Sequence, residues 1–418
     1  MRSLLLITVV VALHISTANS SNVKLEFVQA MWRHGERSSQ IDLYPIYESD
    51  WIYGGGGLGE LTAKGMGEMN EFGRLIRQRY VQQQQFLQPK YASKEVYIRS
   101  TDFNRTIISA MSLLYGLFPP SLYDVPNVDY PFTPFKWQPG LTFVPVHVDS
   151  PTQCAASQNC GSCPRYDALQ TRMLALPEVL PAFQKVIALN RQVGPYYNMT
   201  SGIDTFYTGI DTFYTYPDTW KCQRAYFNST LYAKLPWYNE ELYYKSQTTY
   251  APVKGFLEGY FVNSTVSNGI DIGHEMRVIR SGVLINELYD RAVQKLNCSA
   301  DPSCSNSFKN LKFYAYSIHD NNVFAALTAL GIPTLANTVD GWPAYAAGLI
   351  LEFHRDTVTN ERFFKVLYRQ GDNTAISPVT HLVPICNGLT LCPLNALANL
   401  AQTLKPLPDY PTLCNTAL

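Results

Sequence analysis

An apolar run at 24–31 (KLEFVQAM) leads without a break into Trp32-Arg33-His34-Gly35-Glu36-Arg37. Few polar residues interrupt it, which is the pattern of a strand buried on both faces and covered by helices. The unit recurs. Residues 95–99 (EVYIR) form a second short strand, followed by the cap residues Ser100-Thr101-Asp102 and a helical stretch at 106–117 stopped by Pro119-Pro120. Residues 311–318 (LKFYAYSI) form a third, ending at His319-Asp320, with a helix through Val323, Ala326, Leu327 and Leu330. Between the first two strands, Leu61, Met66, Met69, Phe72, Ile76 and Tyr80 recur at helical spacing, with Thr62 as a fair N-cap. Strand, turn and helix in alternation predict an α/β fold with a parallel sheet. Two later strands, 347–353 and 362–368, are expected to pair antiparallel across residues 356–361.

The chain has 418 residues, enough to bury a sizeable core. It is 46% hydrophobic and 16% charged, the balance of a folded chain. Lys plus Arg and Asp plus Glu are 33 each, so no basic excess exists to meet nucleic-acid phosphates in bulk. A small basic pocket stays compatible with that balance.

Residues 1–20 read as a secretory signal peptide, with Arg2, an apolar run at 4–13 and cleavage after Ala18 or Ser20. The run is too short for a membrane anchor, which takes about 20 residues. The expected destination is secreted or the lysosomal lumen. The nine cysteines fit an oxidising compartment, and their odd number leaves at least one unpaired within the chain. N-x-S/T sequons stand at Asn104, Asn198, Asn228, Asn263 and Asn297, and the last four are the expected glycosylation sites.

From about 120 to 305 the chain is rich in Pro, Tyr and Cys, with helical patches near 166–189 and 274–296. The division expected is an α/β domain from 21–145 and 306–418, with a mostly helical cap at 146–305. A tandem repeat of GIDTFYT at 202–208 and 209–215 is too short for a solenoid and reads as a local duplication.

Several patterns imitate known sites. Gly54-x-Gly56-x-x-Gly59 matches a dinucleotide fingerprint by letter but stands in a glycine-rich loop. Cys160-Gly-Ser-Cys163 has redox spacing, yet in a secreted chain a structural role is favoured. His274-Glu275 lacks the second histidine of a zinc-protease helix, since Val278 occupies that position. The stronger signal is Arg33-His34-Gly35-Glu36-Arg37 at a strand's C-terminal end, where open α/β sheets bind ligands. Arginine forks suit tetrahedral oxyanions, and a histidine between them is a candidate nucleophile toward phosphorus. Arg99 closes the second strand beside a helix N-terminus, and His319-Asp320 closes the third. Neighbouring strands would gather Arg33, Arg37, Arg99, His34 and His319 into one anion site, with Asp320 as its acid.

The segments FVQAMWRHGERS, VYIRSTDFNRTIISAM and YSIHDNNVFAAL, in this order, resemble the histidine acid phosphatase family, the branch of prostatic and lysosomal acid phosphatases. Further matches at WQP (137–139), CPRYDAL (163–169) and CPLNALANL (392–400) spread the resemblance over most of the chain. It implies a phosphoglycerate-mutase-like three-layer α/β domain with a mostly helical cap. It implies His34 as a nucleophile that becomes phosphohistidine, with Asp320 as general acid. Arg33, Arg37, Arg99 and His319 would hold the phosphoryl oxygens. No metal and no cofactor is expected, because the arginines supply the positive charge. The implied substrates are small phosphate monoesters, a phytase-like or lipid-phosphate specialist being the alternative. Relatives that form dimers make a homodimer reasonable. The resemblance pairs Cys163 with Cys414 and Cys386 with Cys392. Cys154–Cys160 and Cys298–Cys304 are then plausible local bridges, with Cys222 left over. Ser38-Ser39 follows RHGER where the family usually has a proline, which bears on the loop's shape.

Overall fold

The computed structural model describes residues 22–52, 55–120, 124–131, 137–148, 162–197, 215–298, 302–336 and 338–418. The strands are β1 (Val23–Arg33), β2 (Val96–Ser100), β3 (Val146–Val148), β4 (Val266–Ser267), β5 (Ile270–Asp271), β6 (Phe313–Ile318), β7 (Gly348–Asp356), β8 (Arg362–Arg369), β9 (Ser377–Pro378) and β10 (Cys392–Pro393). The longer helices are α1 (Ala63–Arg77), α2 (Asn104–Leu117), α3 (Pro164–Met173), α4 (Val179–Val193), α5 (Thr215–Phe227), α6 (Glu240–Leu257), α7 (Val283–Cys298), α8 (Asp320–Ala329) and α9 (Leu394–Thr403).

One mixed sheet runs in the order β10-β8-β7-β1-β6-β2-β3, with β9 on β8. β1, β6, β2 and β3 are mutually parallel, and β7 joins β1 antiparallel. The parallel register sets Arg33 beside Ile318 and Ser100 beside Ser317, so three strands end on one line. β7 and β8 form the antiparallel pair expected from the sequence. Thr62 caps α1 by accepting from the Gly65 N–H at 3.1 Å.

Alternation along the strands divides the core. Val28, Ala30 and Trp32 pack with Met69, Phe72, Ile76, Leu113 and Leu117 of α1 and α2. Phe27 and Met31 face Leu284, Leu288 and Ala292 of α7, and Val323, Ala326 and Leu327 of α8. The result is helix, sheet, helix. A separate core joins α3, α4, α5 and α6.

The observed division differs from the expected one in three places. Leu43, Ile46 and Trp51, from the stretch after β1, pack into this separate core. α7, from the stretch read as cap, packs on the sheet instead, and β3 is a sheet strand. Helical periodicity shows that one face is apolar; it carries no information on which core receives that face.

Disulfides join Cys163 to Cys414, Cys298 to Cys304 and Cys386 to Cys392, and Cys222 is free and buried. Cys154, Cys160, Asn198 and nearly all of the tandem repeat lie outside the described residues. Among the described residues no helix is long and apolar enough to cross a membrane.

Candidate active site

The ends of β1 and β6 and the first turns of α2 and α8 open into a cleft of about 340 Å³, walled on the far side by α3, α5 and α6. His34, Arg37, Arg105, His319 and Asp320 line its floor, and Phe103, Tyr166, Leu257 and Trp342 line its walls.

The turn after β1 is held by backbone contacts. The His34 N–H donates to the Ile318 carbonyl at 3.2 Å, and its own carbonyl accepts from Ala346. Gly35 rests directly on Gly65 of α1, where a Cβ would stand 2.2 Å from the Gly65 carbonyl oxygen. Only glycine permits so close an approach of two backbones. His34 Nδ1 lies 2.8 Å from the Gly35 carbonyl oxygen. A carbonyl can only accept, so Nδ1 carries the proton and Nε2 keeps its lone pair.

Burial first, then the charges of Arg33, Arg105 and Arg37, hold His34 well below the usual imidazole range. The ring therefore stays neutral in acid, as a nitrogen nucleophile must. His319 is likewise lowered, to about 3, by burial and then by Arg105. Its Nε2 lies 3.0 Å from Thr101 Oγ1.

Arg33 is 1% exposed and reaches Asp320 at 2.8 Å and the Pro343 carbonyl at 2.8 Å, with its guanidinium over the Tyr345 ring. Arg37 makes a two-pronged pair with Asp218 of α5 at 2.9 and 2.8 Å, and touches Cys222 Sγ at 3.2 Å. Arg105 lies over the Phe103 ring, and burial followed by Arg37 lowers it to about 10, still a cation in acid. The buried Nε atoms of Arg33, Arg37 and Arg105 have no hydrogen-bond partner among the described residues. Arg37 and Arg105 line the cleft and Arg33 stands beside Asp320, a set of guanidinium cations that fits a multiply charged oxyanion.

Burial alone would raise the Asp320 carboxyl, but Arg33, Arg37 and Lys254 outweigh it and hold it well below the carboxylate range. No group of histidine, cysteine and acidic side chains suited to a metal ion occurs among the described residues.

The structure brings Arg33, His34, Arg37, His319 and Asp320 together, and it does not bring Arg99. Arg99 lies on the α7 side of β2, pairs with Glu287 at 2.6 Å and reaches Tyr314 Oη at 3.2 Å. Sequence reasoning took the strand-end arginine, but α7 covers that side chain. Arg105, six residues on in the first turn of α2, is the arginine that enters the cleft. The available signal was position: the first turn of a helix that follows a parallel strand faces the sheet's C-terminal edge. Asp218 and Lys254 were also missed, and only the folding of α5 and α6 over the cleft brings them in. A larger groove of about 800 Å³ lies between α4, α6 and the chain after α8, but no histidine or arginine lines it.

The histidine phosphatase superfamily (branch 2) matches residues 24–369. This chain belongs to that family. A Caenorhabditis elegans protein named "Putative acid phosphatase 11" is 70% identical over 400 residues, covering 95% of each chain. Human prostatic acid phosphatase is 31% identical over 399 residues, covering 94% of this chain and 88% of its own. The phytase from Citrobacter braakii shares the fold at a TM-score of 0.61 and 14% identity, covering 94% of this chain and 99% of its own. The chain is thus a phosphatase of the acid phosphatase branch, with small phosphate monoesters as substrates.

Proposed function

We propose that this histidine phosphatase works through a phosphohistidine at His34, with Asp320 as proton donor. The supporting observation is the His34 Nδ1 contact to the Gly35 carbonyl, which reserves Nε2 for attack beside three arginines. Nε2 attacks phosphorus, the N–P bond forms and the ester P–O bond breaks. Asp320 gives its proton to the departing alkoxide, then takes one from the water that attacks the phosphohistidine. Inorganic phosphate leaves and neutral His34 is restored. Arg33, Arg37 and Arg105 stabilise charge on the phosphoryl oxygens throughout.

In the empty cleft Asp320 is ionised, because Arg33, Arg37 and Lys254 outweigh the effect of its burial. A bound phosphoryl dianion offsets that field and raises the carboxyl toward protonation, so turnover is favoured in acid.

A phytase-like role fits less well. The outer cations of the cleft are already committed, Lys254 to Asp340 at 3.3 Å and Arg280 to Glu258. The disulfides support secretion or a lysosomal lumen as the working compartment.

The test is hydrolysis of p-nitrophenyl phosphate from acidic to neutral pH, with a metal chelator present and His34→Ala alongside. Acid-side turnover that disappears in the variant, with phosphate trapped on His34 after rapid alkaline quench, is the expected result. Near-normal turnover by His34→Ala would refute the covalent route.

A further inference from the structure

Behind the catalytic turn, on the side away from the cleft, two carboxylates are buried against one lysine. Glu36 is 1% exposed, and its carboxylate accepts from Lys64 Nζ at 2.6 Å and from Thr62 Oγ1 at 3.1 Å. Glu68 of α1 is 5% exposed. Its Oε2 accepts from the Glu36 backbone N–H at 2.8 Å, and its Oε1 lies 3.8 Å from the same Lys64 Nζ. Glu68 therefore holds the main chain of the turn that carries His34 and Arg37. The close contact of Gly35 with Gly65 leaves the turn no slack against α1.

The charges around Glu68 do not balance once it ionises. Glu36 faces it from the turn, and Asp372 faces it from the chain beyond β8. Lys64, half-exposed on its own helix, is already engaged by Glu36. Arg369 of β8 also feels Glu68, Glu71 and Asp372; its Nη1 serves the Ala346 carbonyl at 3.0 Å and its Nε the Thr374 carbonyl at 3.2 Å, while its buried Nη2 has no hydrogen-bond partner among the described residues. Burial first, then the Glu36 and Asp372 carboxylates, raise Glu68 to about 7, against the pull of the Glu36 N–H and Lys64. Below that pH the set holds a neutral Glu68 beside a Glu36–Lys64 pair. Above it, a second buried anion stands against the first.

We propose that Glu68 is a positioning residue for the catalytic turn, holding it in working geometry while its carboxyl is protonated and releasing it on ionisation, so that it adds to the alkaline loss of activity that deprotonation of Asp320 brings. This rests on the phosphatase reading of the cleft. The proton lost goes to solvent, and no bond other than O–H changes. The linkage has a definite sign. A carboxyl raised in the folded state binds its proton more tightly there than in the unfolded chain, so its stabilising contribution is complete below the ordinary glutamate range and is lost as pH rises toward 7.

The test compares Glu68→Gln and Glu68→Ala with the unaltered chain, each as a pH profile of absolute kcat and KM on p-nitrophenyl phosphate. Gln keeps an oxygen acceptor for the Glu36 N–H and cannot ionise. Its alkaline half-activity point is expected to move up by about one pH unit. Ala loses the acceptor, and its kcat is expected to fall about tenfold below that of Gln at every pH. A Gln profile superimposable on the unaltered chain's, or a Gln variant no better than Ala, would overturn the proposal. Should the unaltered chain show no turnover, the phosphatase reading fails separately. Inorganic phosphate binding, measured by calorimetry at pH 6 and pH 8, then reads Glu68 alone. Phosphate's own ionisation affects every variant alike, so the expected sign is a smaller loss of affinity at pH 8 in Gln, and equal losses overturn the proposal.

Discussion

Two arginine-rich clusters lie within this sheet domain, and they behave oppositely. In the cleft, Arg33, Arg37 and Arg105 crowd two neutral histidines and leave their buried Nε atoms unmet. Under α7, Arg99 and Arg291 share Glu287, and Tyr316 Oη donates to that same carboxylate at 2.8 Å. Arg291 also reaches the Gln29 side chain at 3.0 Å, and its guanidinium covers the Tyr314 ring. Counted against Asp218 and Asp320, the first cluster has one cation in surplus, as the second has against Glu287, but the first has space beside it. The second has a carboxylate between its cations and a helix over it. Buried arginines alone do not make an anion site; an unbalanced field with room for the balancing charge does.

The sharpest way to break that contrast is to remove its centre. His34→Ala is expected to lower kcat by about ten-thousandfold or more, measured on an aryl phosphate. Next comes the arginine swap. Arg105→Ala is expected to lower kcat/KM by about a hundredfold or more, with melting temperature little changed. Arg99→Ala is expected to do the reverse, costing about 1.5 kcal/mol of stability by removing one of the two arginines that share Glu287, while kcat stays within a few-fold. Denaturant unfolding beside steady-state kinetics reads both, and the opposite assignment would restore Arg99 to the site. Asp320→Ala is expected to slow alkyl phosphates about tenfold more than aryl ones, because poor leaving groups need the proton. Equal losses would argue against the acid role.

The smallest effect is on stability against pH. His319 is lowered to about 3, so the unfolded chain binds this proton more readily than the folded one between there and the usual imidazole range. Stability therefore rises with pH across that window, by up to about 1.4 kcal/mol per pH unit for this one group. His319→Asn should flatten the acid limb of the melting curve, and saturating phosphate should flatten it in the unaltered chain. An unchanged acid limb in the variant would remove His319 from the account.

What the sequence made legible follows from what each signal encodes. β1, β2, β6, β7 and β8 were visible because a buried strand must be apolar along its length. His34, Arg33, Arg37, His319 and Asp320 were visible because they stand at strand ends, and parallel strands deliver their ends to one edge. Arg105 was missed because it stands beyond the strand end, in the first turn of α2. Asp218 and Lys254 carry no local signal, since their place depends on how α5 and α6 lie across the cleft. α7 was assigned to the wrong core because amphipathicity has no address. Glu68 carries no local signal either, and only the contact of Gly35 with Gly65 puts it beneath the catalytic turn.

The bond between Cys163 and Cys414 closes a loop with a sequence separation of 251 and ties the end of the chain to the start of α3. Under attack by a protease, that closure changes what a cut means. Hydrolysis of any single peptide bond between the two cysteines opens the chain without freeing a piece of it. The two segments stay covalently joined, and the core built from α3, α4, α5 and α6 keeps its parts at hand. A nicked population would migrate as intact material on a denaturing gel until a reductant was added, and only then reveal its fragments.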